Sequence, residues 1–296
     1  MEDNKQATDN ESIYVPFVDK ILRCEPLCTI EAERSLPLLR LNYCMVNPKS
    51  QVSKIPTRIT EIDEKMFTTA AEDYLKGSPT FRAKSEAVHP DLADYDPRTH
   101  APAFRGTSKH CDNFDIKRSC YWDIIHPMLL LTETGAGKNV DLVGQDGHYS
   151  SAKEYDLYDS FCLPTQDGAS PKTFFVLSYW NRGRIPVENF KAISDDSNTQ
   201  DKPEHNYRGE PIASEMVVEA TQHALSTGSH HVAFLNWDVM VLFHFHQMSD
   251  SWDSSVRWEA GPGDEVSVKI VENSGEQRRD LLGCWIEARQ AAARRK

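Results

Sequence analysis

Apolar positions follow their most regular pattern in the C-terminal half of the chain. Residues 173–180 (Thr-Phe-Phe-Val-Leu-Ser-Tyr-Trp) are rich in aromatic and β-branched side chains, which is typical of a buried strand. Pro211 opens a run of apolar residues at helical spacing that stops at Gly228, so a helix is predicted between them. A last helix is predicted from Glu276, with an apolar stripe made of Leu281, Trp285, Ala288 and Ala292.

Two pairs of apolar runs in the same half predict hairpins. Residues 232–235 and 239–246 flank an Asn-Trp-Asp turn, and residues 256–258 and 265–271 flank a Gly-Pro-Gly-Asp turn. Strands joined by hairpins pair antiparallel, and amphipathic helices bury their apolar side against such a sheet. The sequence therefore predicts an α+β fold with a mixed, largely antiparallel sheet and helices packed on one face.

The N-terminal half is less regular. Residues 1–12 contain four acids, one lysine and no hydrophobic periodicity, which predicts a disordered acidic tail. Apolar residues between 13 and 22 then predict a short packed element. We treat residues 13–296 as a single composite α+β domain.

Three further elements are predicted before residue 150. The spacing of apolar residues predicts a helix within 59–75, with Thr60 as its cap, and a second element over 121–131 that Pro127 interrupts. A short strand is predicted over 139–144, and Asp146-Gly147 after it predicts a turn.

Composition restricts the classes of partner. The chain has 33 Lys and Arg against 45 Asp and Glu, a net charge of −12, which disfavours general binding to nucleic acid or to anionic membranes. Six basic and three acidic residues fall within 276–296, so nucleic acid is expected only through this basic C-terminal end. No apolar run reaches the length of a membrane-spanning helix.

The cysteines and the first residues predict the compartment. Seven cysteines, an odd number in a chain of 296 residues, do not suggest a disulfide framework. The polar start lacks the apolar block of a secretory signal. A soluble protein of the reducing cytoplasm or nucleus, with free thiols, is expected.

Two histidines form the most suggestive metal-type motif. His244 and His246 alternate with phenylalanines, so both imidazoles are predicted on one face of a strand. The pair resembles the His-x-His start of a cupin metal site, but no glutamate follows at short distance and no histidine occurs after His246. We therefore predict no metal and no cofactor, with both histidines on the solvent face of a hairpin.

A cationic group follows the strand predicted over residues 173–180. Arg182, Arg184 and Arg208 are close in sequence to Trp180 and Tyr207. Arginine beside an aromatic face suits recognition of a carboxylate, a phosphate or a planar group. These three arginines are the predicted binding residues.

An alternative fold follows from the order of the elements. Asp141 on the strand 139–144, the strand 173–180, the helix 211–227 and the strand 232–235 are similar in order to the α/β core of the restriction-endonuclease-like fold. In that fold an Asp on one strand and a Glu-x-Lys on the next hold Mg²⁺. Residues 176–178 are Val-Leu-Ser, so the resemblance implies an inactive, degenerate relative.

Two hypotheses about function remain open. The first is a soluble intracellular protein that acts by binding a protein or a small molecule. The second is an enzyme with a dispersed active site, which includes the nuclease-like alternative.

Overall fold

The described part of the chain consists of several separated ranges. A computed structural model describes residues 14, 16–23, 56, 58–82, 117, 120–136, 145–151, 154–163, 172–180, 185, 187, 211–236, 239–246, 265–272 and 274–294. The acidic tail 1–12 and the predicted strands 139–144 and 256–258 lie outside these residues.

One mixed sheet of seven strands forms the centre of the fold. The strands are β1 (Arg58–Glu61), β2 (Gln145–Ser151), β3 (Glu154–Leu163), β4 (Lys172–Tyr179), β5 (His231–Leu235), β6 (Met240–Phe245) and β7 (Glu265–Val271). Their order across the sheet is β1-β7-β6-β5-β4-β3-β2. The pairs β1–β7 and β4–β5 are parallel and the other neighbours are antiparallel. This arrangement confirms the predicted α+β class with a mixed, largely antiparallel sheet.

Helices pack on both sides of this sheet. They are α1 (Pro16–Arg23), α2 (Met66–Gly77), α3 (His126–Ala136), α4 (Pro211–Thr227) and α5 (Ser274–Arg294). One core cluster joins α1, α2, α3 and α5 to one face, which is the predicted arrangement. A second cluster joins α4 to the opposite face through Met216, Val217, Ala220 and Ala224. Helix α4 is therefore an addition to the predicted single helical layer.

The central strands explain why both faces are covered. All five residues of β5 are buried, and its side chains alternate between the two clusters. Ala233 and Leu235 face the cluster around α5, whereas Val232 and Phe234 face α4. A strand that is apolar on both faces needs a layer on each, and the crossover from β4 to the parallel strand β5 supplies α4.

Two predicted N-terminal elements take a different form. Thr60 lies in β1 and pairs with Ser267, so the predicted helix begins later, at Met66. The main-chain N–H of Lys65 donates to the Asp63 carboxylate (2.8 Å), which tightens the turn before α2. The residues Asp146-Gly147 lie inside β2, which corrects the predicted turn there. Strand β3 has no counterpart among the predicted elements.

The interruption predicted at Pro127 is a change of helical register. Residues Tyr121–Ile125 form a π-helical turn directly before α3, and the main-chain N–H of His126 donates to the Tyr121 carbonyl five residues earlier. Proline has no N–H to donate into the preceding turn, and the change from π-helical to α-helical hydrogen bonding occurs directly before it. The helix then continues to Ala136.

Helix α5 is the principal packing element. The predicted stripe Leu281, Trp285, Ala288 and Ala292 is buried, and the Trp285 ring meets Phe174 of β4 edge-on at 5.1 Å. Arg278, also on α5, donates to the main-chain carbonyl of Ile21 at 2.8 Å and so holds α1. No helix among the described residues has the length and apolar character needed to cross a bilayer.

A buried ion pair joins α5 to β7 and α2. Lys269 and Asp280 are 8% and 4% exposed, and the Lys269 ammonium lies 2.8 Å from the Asp280 carboxylate. Lys269 also donates to the carbonyl of Glu64. Burial raises the pKa of Asp280, and Lys269 opposes that shift. The pair fixes the position of α5 along β7, because a buried charge that loses its partner destabilises the fold.

Helices α2 and α5 pack closely against each other at Gly283. A β-carbon at this glycine would lie 1.8 Å from the main-chain oxygen of Phe67, so only a glycine fits. We predict that Gly283→Ala lowers the free energy of unfolding by about 3 kcal/mol or more, because one helix must move away from the other. Urea unfolding followed by circular dichroism measures this change.

The matched control is Gly77→Ala at the end of α2. A β-carbon there meets nothing within 4 Å, so its stability should remain near that of the wild-type chain. Equal effects of the two substitutions would contradict the close contact between α2 and α5.

Candidate functional site

Three predicted binding residues lie outside the described ranges: Arg182, Arg184 and Arg208. Asp141 of the nuclease-like alternative also lies outside them. Trp180, the aromatic residue nearest to the first two arginines, is described: it is half-buried and its ring stacks on Phe234 at 5.3 Å. The arginine site therefore remains a prediction, and of the two aromatic residues predicted beside it the structure describes only Trp180, which is held in place by Phe234.

The histidine motif lies at the end of β6, with both rings on one sheet face as predicted. Its setting differs from a solvent-facing hairpin, because this face also carries Leu242 and the layer around α5. His244 is half-buried and His246 is exposed. A third histidine, His231 of β5, pairs directly with His244 and is 2% exposed.

The three imidazoles are in sequential contact. The rings of His231 and His244 stack at 4.5 Å with 11° between their planes. The rings of His244 and His246 are 4.4 Å apart and tilted by 45°. We call His231, His244 and His246 the imidazole row.

Polar side chains continue from the imidazole row across the next two strands. Ser267 of β7 pairs with His244, and Thr60 of β1 pairs with Ser267, so the polar residues cross four neighbouring strands at one level. The Thr60 hydroxyl donates to a Glu265 carboxylate oxygen at 2.7 Å and lies 2.8 Å from the Ser267 hydroxyl. Ser267 in turn lies 2.5 Å from Nε2 of His246.

The number of hydroxyl protons fixes which atom donates in each hydrogen bond of this series. Thr60 gives its one hydroxyl proton to the Glu265 carboxylate, so its oxygen must accept from Ser267. Ser267 has then used its own proton and must accept from Nε2–H of His246. The geometry thus assigns His246 the Nε2–H tautomer and leaves Nδ1 as its acceptor atom.

Metal ligation requires several donor side chains that converge on one point. Across the described ranges, no group of three or more His, Cys, Asp or Glu side chains is placed to hold a metal ion. Cys120, Cys162 and Cys284, the cysteines in these ranges, are free and buried. Burial raises the pKa of the Cys284 thiol, which keeps that sulfur in its less reactive protonated form.

A second polar group lies on the same face in β3 and β4. Tyr179 is the last residue of β4 and His231 the first of the parallel strand β5, so the two groups lie toward opposite ends of the sheet. The Asp159 carboxylate accepts a hydrogen bond from the Tyr179 hydroxyl at 2.7 Å and lies 2.6 Å from the Lys117 ammonium. That ammonium also lies 5.7 Å from the centre of the Tyr179 ring.

The electrostatics of this group keep Tyr179 protonated. Burial raises the pKa of the Tyr179 phenol well above its usual range, and the Asp159 charge adds to the rise. The phenol is therefore a fixed hydrogen-bond donor to Asp159. Tyr121, Trp122 and His126 of the π-turn and α3 form a half-buried aromatic cluster beside it, with ring centres 5.0–5.9 Å apart.

Sequence reasoning missed most members of both groups. Asp159 lies on the strand that was not predicted, and Lys117 lies far from it in sequence. Thr60 was interpreted as a helix cap. The alternation of Glu265 and Ser267 on the predicted strand 265–271 was the one available sign that its outer end carries polar side chains.

Comparison of the chain with protein-family models, with curated proteins and with solved structures found no match. The geometry of the two polar groups therefore carries the argument about function.

The Tyr179–Asp159 pair predicts an alkaline loss of stability. The folded-state pKa of Tyr179 lies above the unfolded value of about 10, so its contribution is fully present below about pH 10 and is lost as pH rises through the folded-state pKa. Urea unfolding of Tyr179→Phe should therefore show a weaker decline of stability between about pH 9 and pH 11 than the wild-type chain shows.

Tyr74→Phe is the matched comparison, since burial raises the pKa of Tyr74 to about 12. It should also weaken the alkaline decline. Identical slopes for the wild-type and Tyr179→Phe chains would contradict the protonated, hydrogen-bonded phenol.

Proposed function

We propose that this protein acts by binding a protein or small-molecule partner, and that its sheet is an inactive relative of the restriction-endonuclease-like core. The observation that carries the proposal is the state of Asp159. One carboxylate oxygen is bound by Lys117 and the other by Tyr179. A carboxylate engaged in this way would have to share or exchange these two partners in order to bind a metal ion.

The order of strands supports comparison with that core. Strands β2, β3 and β4 are consecutive and antiparallel, and α4 then leads to the parallel strand β5. In this arrangement the acid expected on the strand before β4 would be Asp159 rather than Asp141. The residue directly opposite Asp159 is Leu177, and Tyr179 is the next residue of β4 on that face.

The replaced side chains explain why catalysis is disfavoured. Leu177-Ser178-Tyr179 stands where the Glu-x-Lys sequence would be needed, and all three residues are buried. Magnesium binds through several oxygen ligands, and among the described residues no group of three or more His, Cys, Asp or Glu side chains is placed to hold a metal ion. The Lys117 ammonium, 2.6 Å from that carboxylate, also repels a metal cation.

The predicted arginines remain the best candidates for ligand contact. Arg182, Arg184 and Arg208 would meet a carboxylate, a phosphate or a planar group beside Trp180. Nucleic acid is a weaker candidate because two basic residues near the C-terminus have partners within α5. Arg289 lies 5.6 Å from the Trp285 ring, and Arg294 donates to Gln290 at 3.1 Å.

The proposed place of action is the cytoplasm or nucleus. The buried free thiols Cys120, Cys162 and Cys284 support a reducing compartment.

A second candidate function, an enzyme with a dispersed active site, is supported by the hydrogen-bonded connection from Glu265 to His246. An imidazole linked to a carboxylate is a common form of general base. Metal-independent turnover that requires His246 would favour this function over binding alone.

Divalent metal ions test the proposed inactivity. We expect Mg²⁺ and Mn²⁺ to leave the melting temperature unchanged and to support no cleavage of single- or double-stranded DNA or RNA. Asp159→Asn should respond to the metals as the wild-type chain does, and Asp63→Asn, in the turn before α2, controls for loss of one charge.

Stabilisation by Mn²⁺, or cleavage, that Asp159→Asn abolishes and Asp63→Asn retains would overturn the proposal. The same result with Asp141→Ala would return the acid to its originally predicted position.

Small anions test the arginine site. A panel of carboxylates, inorganic phosphate and nucleoside phosphates should contain a class that raises the melting temperature of the wild-type chain. The double variant Arg182→Gln/Arg184→Gln should lose at least about tenfold in affinity for it, because bidentate contacts disappear. Arg294→Gln is the control, and an equal loss in that variant would indicate non-specific anion binding.

A further inference from the structure

The imidazole row places three titratable groups in contact at the centre of the sheet. His231 is on β5, and His244 and His246 lie on and just after β6, so the row crosses the antiparallel β5–β6 pair. This pair lies between β4 and β7 in the sheet. A change of charge in the row therefore acts on strands that contact both core clusters.

Imidazole is the side chain that changes charge just below neutral pH. Two imidazolium rings stacked at 4.5 Å would repel each other, and His231 is too deeply buried for water to screen that repulsion. In the unfolded chain the same rings are separate and solvated. The unfolded chain therefore takes up more protons than the folded chain, and acid shifts the equilibrium toward unfolding.

A hydrogen bond holds the exposed end of the row. Nε2 of His246 donates to Ser267, which leaves Nδ1 as the nitrogen of this ring that has no proton. A charge on any ring of the row opposes a charge on the ring in contact with it, and the two contacts are 4.5 Å and 4.4 Å.

Among the described residues, the charged groups nearest the row are on β7 and α5. On β7, Glu265 lies beside His246, and Lys269 is the next charged residue along the same face. Lys269 is held by Asp280 of α5, and the turn before α2 contributes the main-chain oxygen of Glu64 to it. On β1 the group that faces the row is the uncharged Thr60, and on β5 the next residue on this face is Ala233.

We propose that the imidazole row is a pH-sensitive switch that weakens the β5–β6 pair when the pH falls through about 6. Above this range the rings are neutral and stacked, and the sheet is intact. Below it, protonation of adjacent rings places positive charges in contact, and the paired strands separate. The switch is independent of the proposed binding function.

Stability measured at two pH values tests the switch. Between about pH 7.5 and pH 5.5 the unfolding equilibrium constant of the wild-type chain should rise at least about tenfold more than that of His244→Gln, which removes the central ring. His126→Gln replaces a histidine outside the row and should retain the full dependence. Equal pH dependence in the wild-type and His244→Gln chains would overturn the proposal.

A measurement on the wild-type chain covers the case in which His244→Gln does not fold. Two-dimensional ¹⁵N–¹H spectra of the imidazoles follow each ring during acid titration. We expect at least one ring of the row to remain neutral until the native signals disappear together. Protonation of all three rings near pH 6.5, with the native spectrum retained, would show that the row is no switch.

Discussion

Strands β5 and β6 carry apolar side chains on both of their faces, and most of the architecture follows from the need to cover them. One side is covered by α4 and the other by α5 together with the helices that contact it. Removing water from both faces contributes the main favourable term to folding. The close contact between Gly283 and the Phe67 main chain allows α2 to reach α5 without lifting α5 from the strands.

The two polar groups lie where apolar side chains of the sheet give way to polar ones. At the outer end of β5 and β6 the side chains become histidines, and β7 and β1 continue the level with Ser267 and Thr60. On β3 and β4 a single carboxylate lies among buried aromatic residues and is balanced by Lys117 and Tyr179. In both groups the carboxylate is engaged by neighbouring side chains, as a polar group at the margin of a core must be.

The C-terminal elements could be predicted because their patterns are local. The stripe of α5, the proline and glycine that bound α4, and the aromatic run of β4 each specify one structure within a few residues. The N-terminal half depends on distant partners. Thr60 lies in a strand because it pairs with β7, some two hundred residues later in the sequence. Asp159 can be recognised as part of a polar group only from its contacts with Lys117 and Tyr179. No local sequence pattern indicates these long-range contacts.

Strand β1 forms an edge of the sheet, and its partner there is β7, which follows every other described strand along the chain. Helix α1 is likewise held in part by α5, because Arg278 donates to the carbonyl of Ile21. During vectorial synthesis on the ribosome, these early segments emerge long before β7 and α5. Assembly thus requires closing one very large loop, an entropic step that waits for β7 and α5 and leaves the nascent N-terminal segments in need of protection from aggregation.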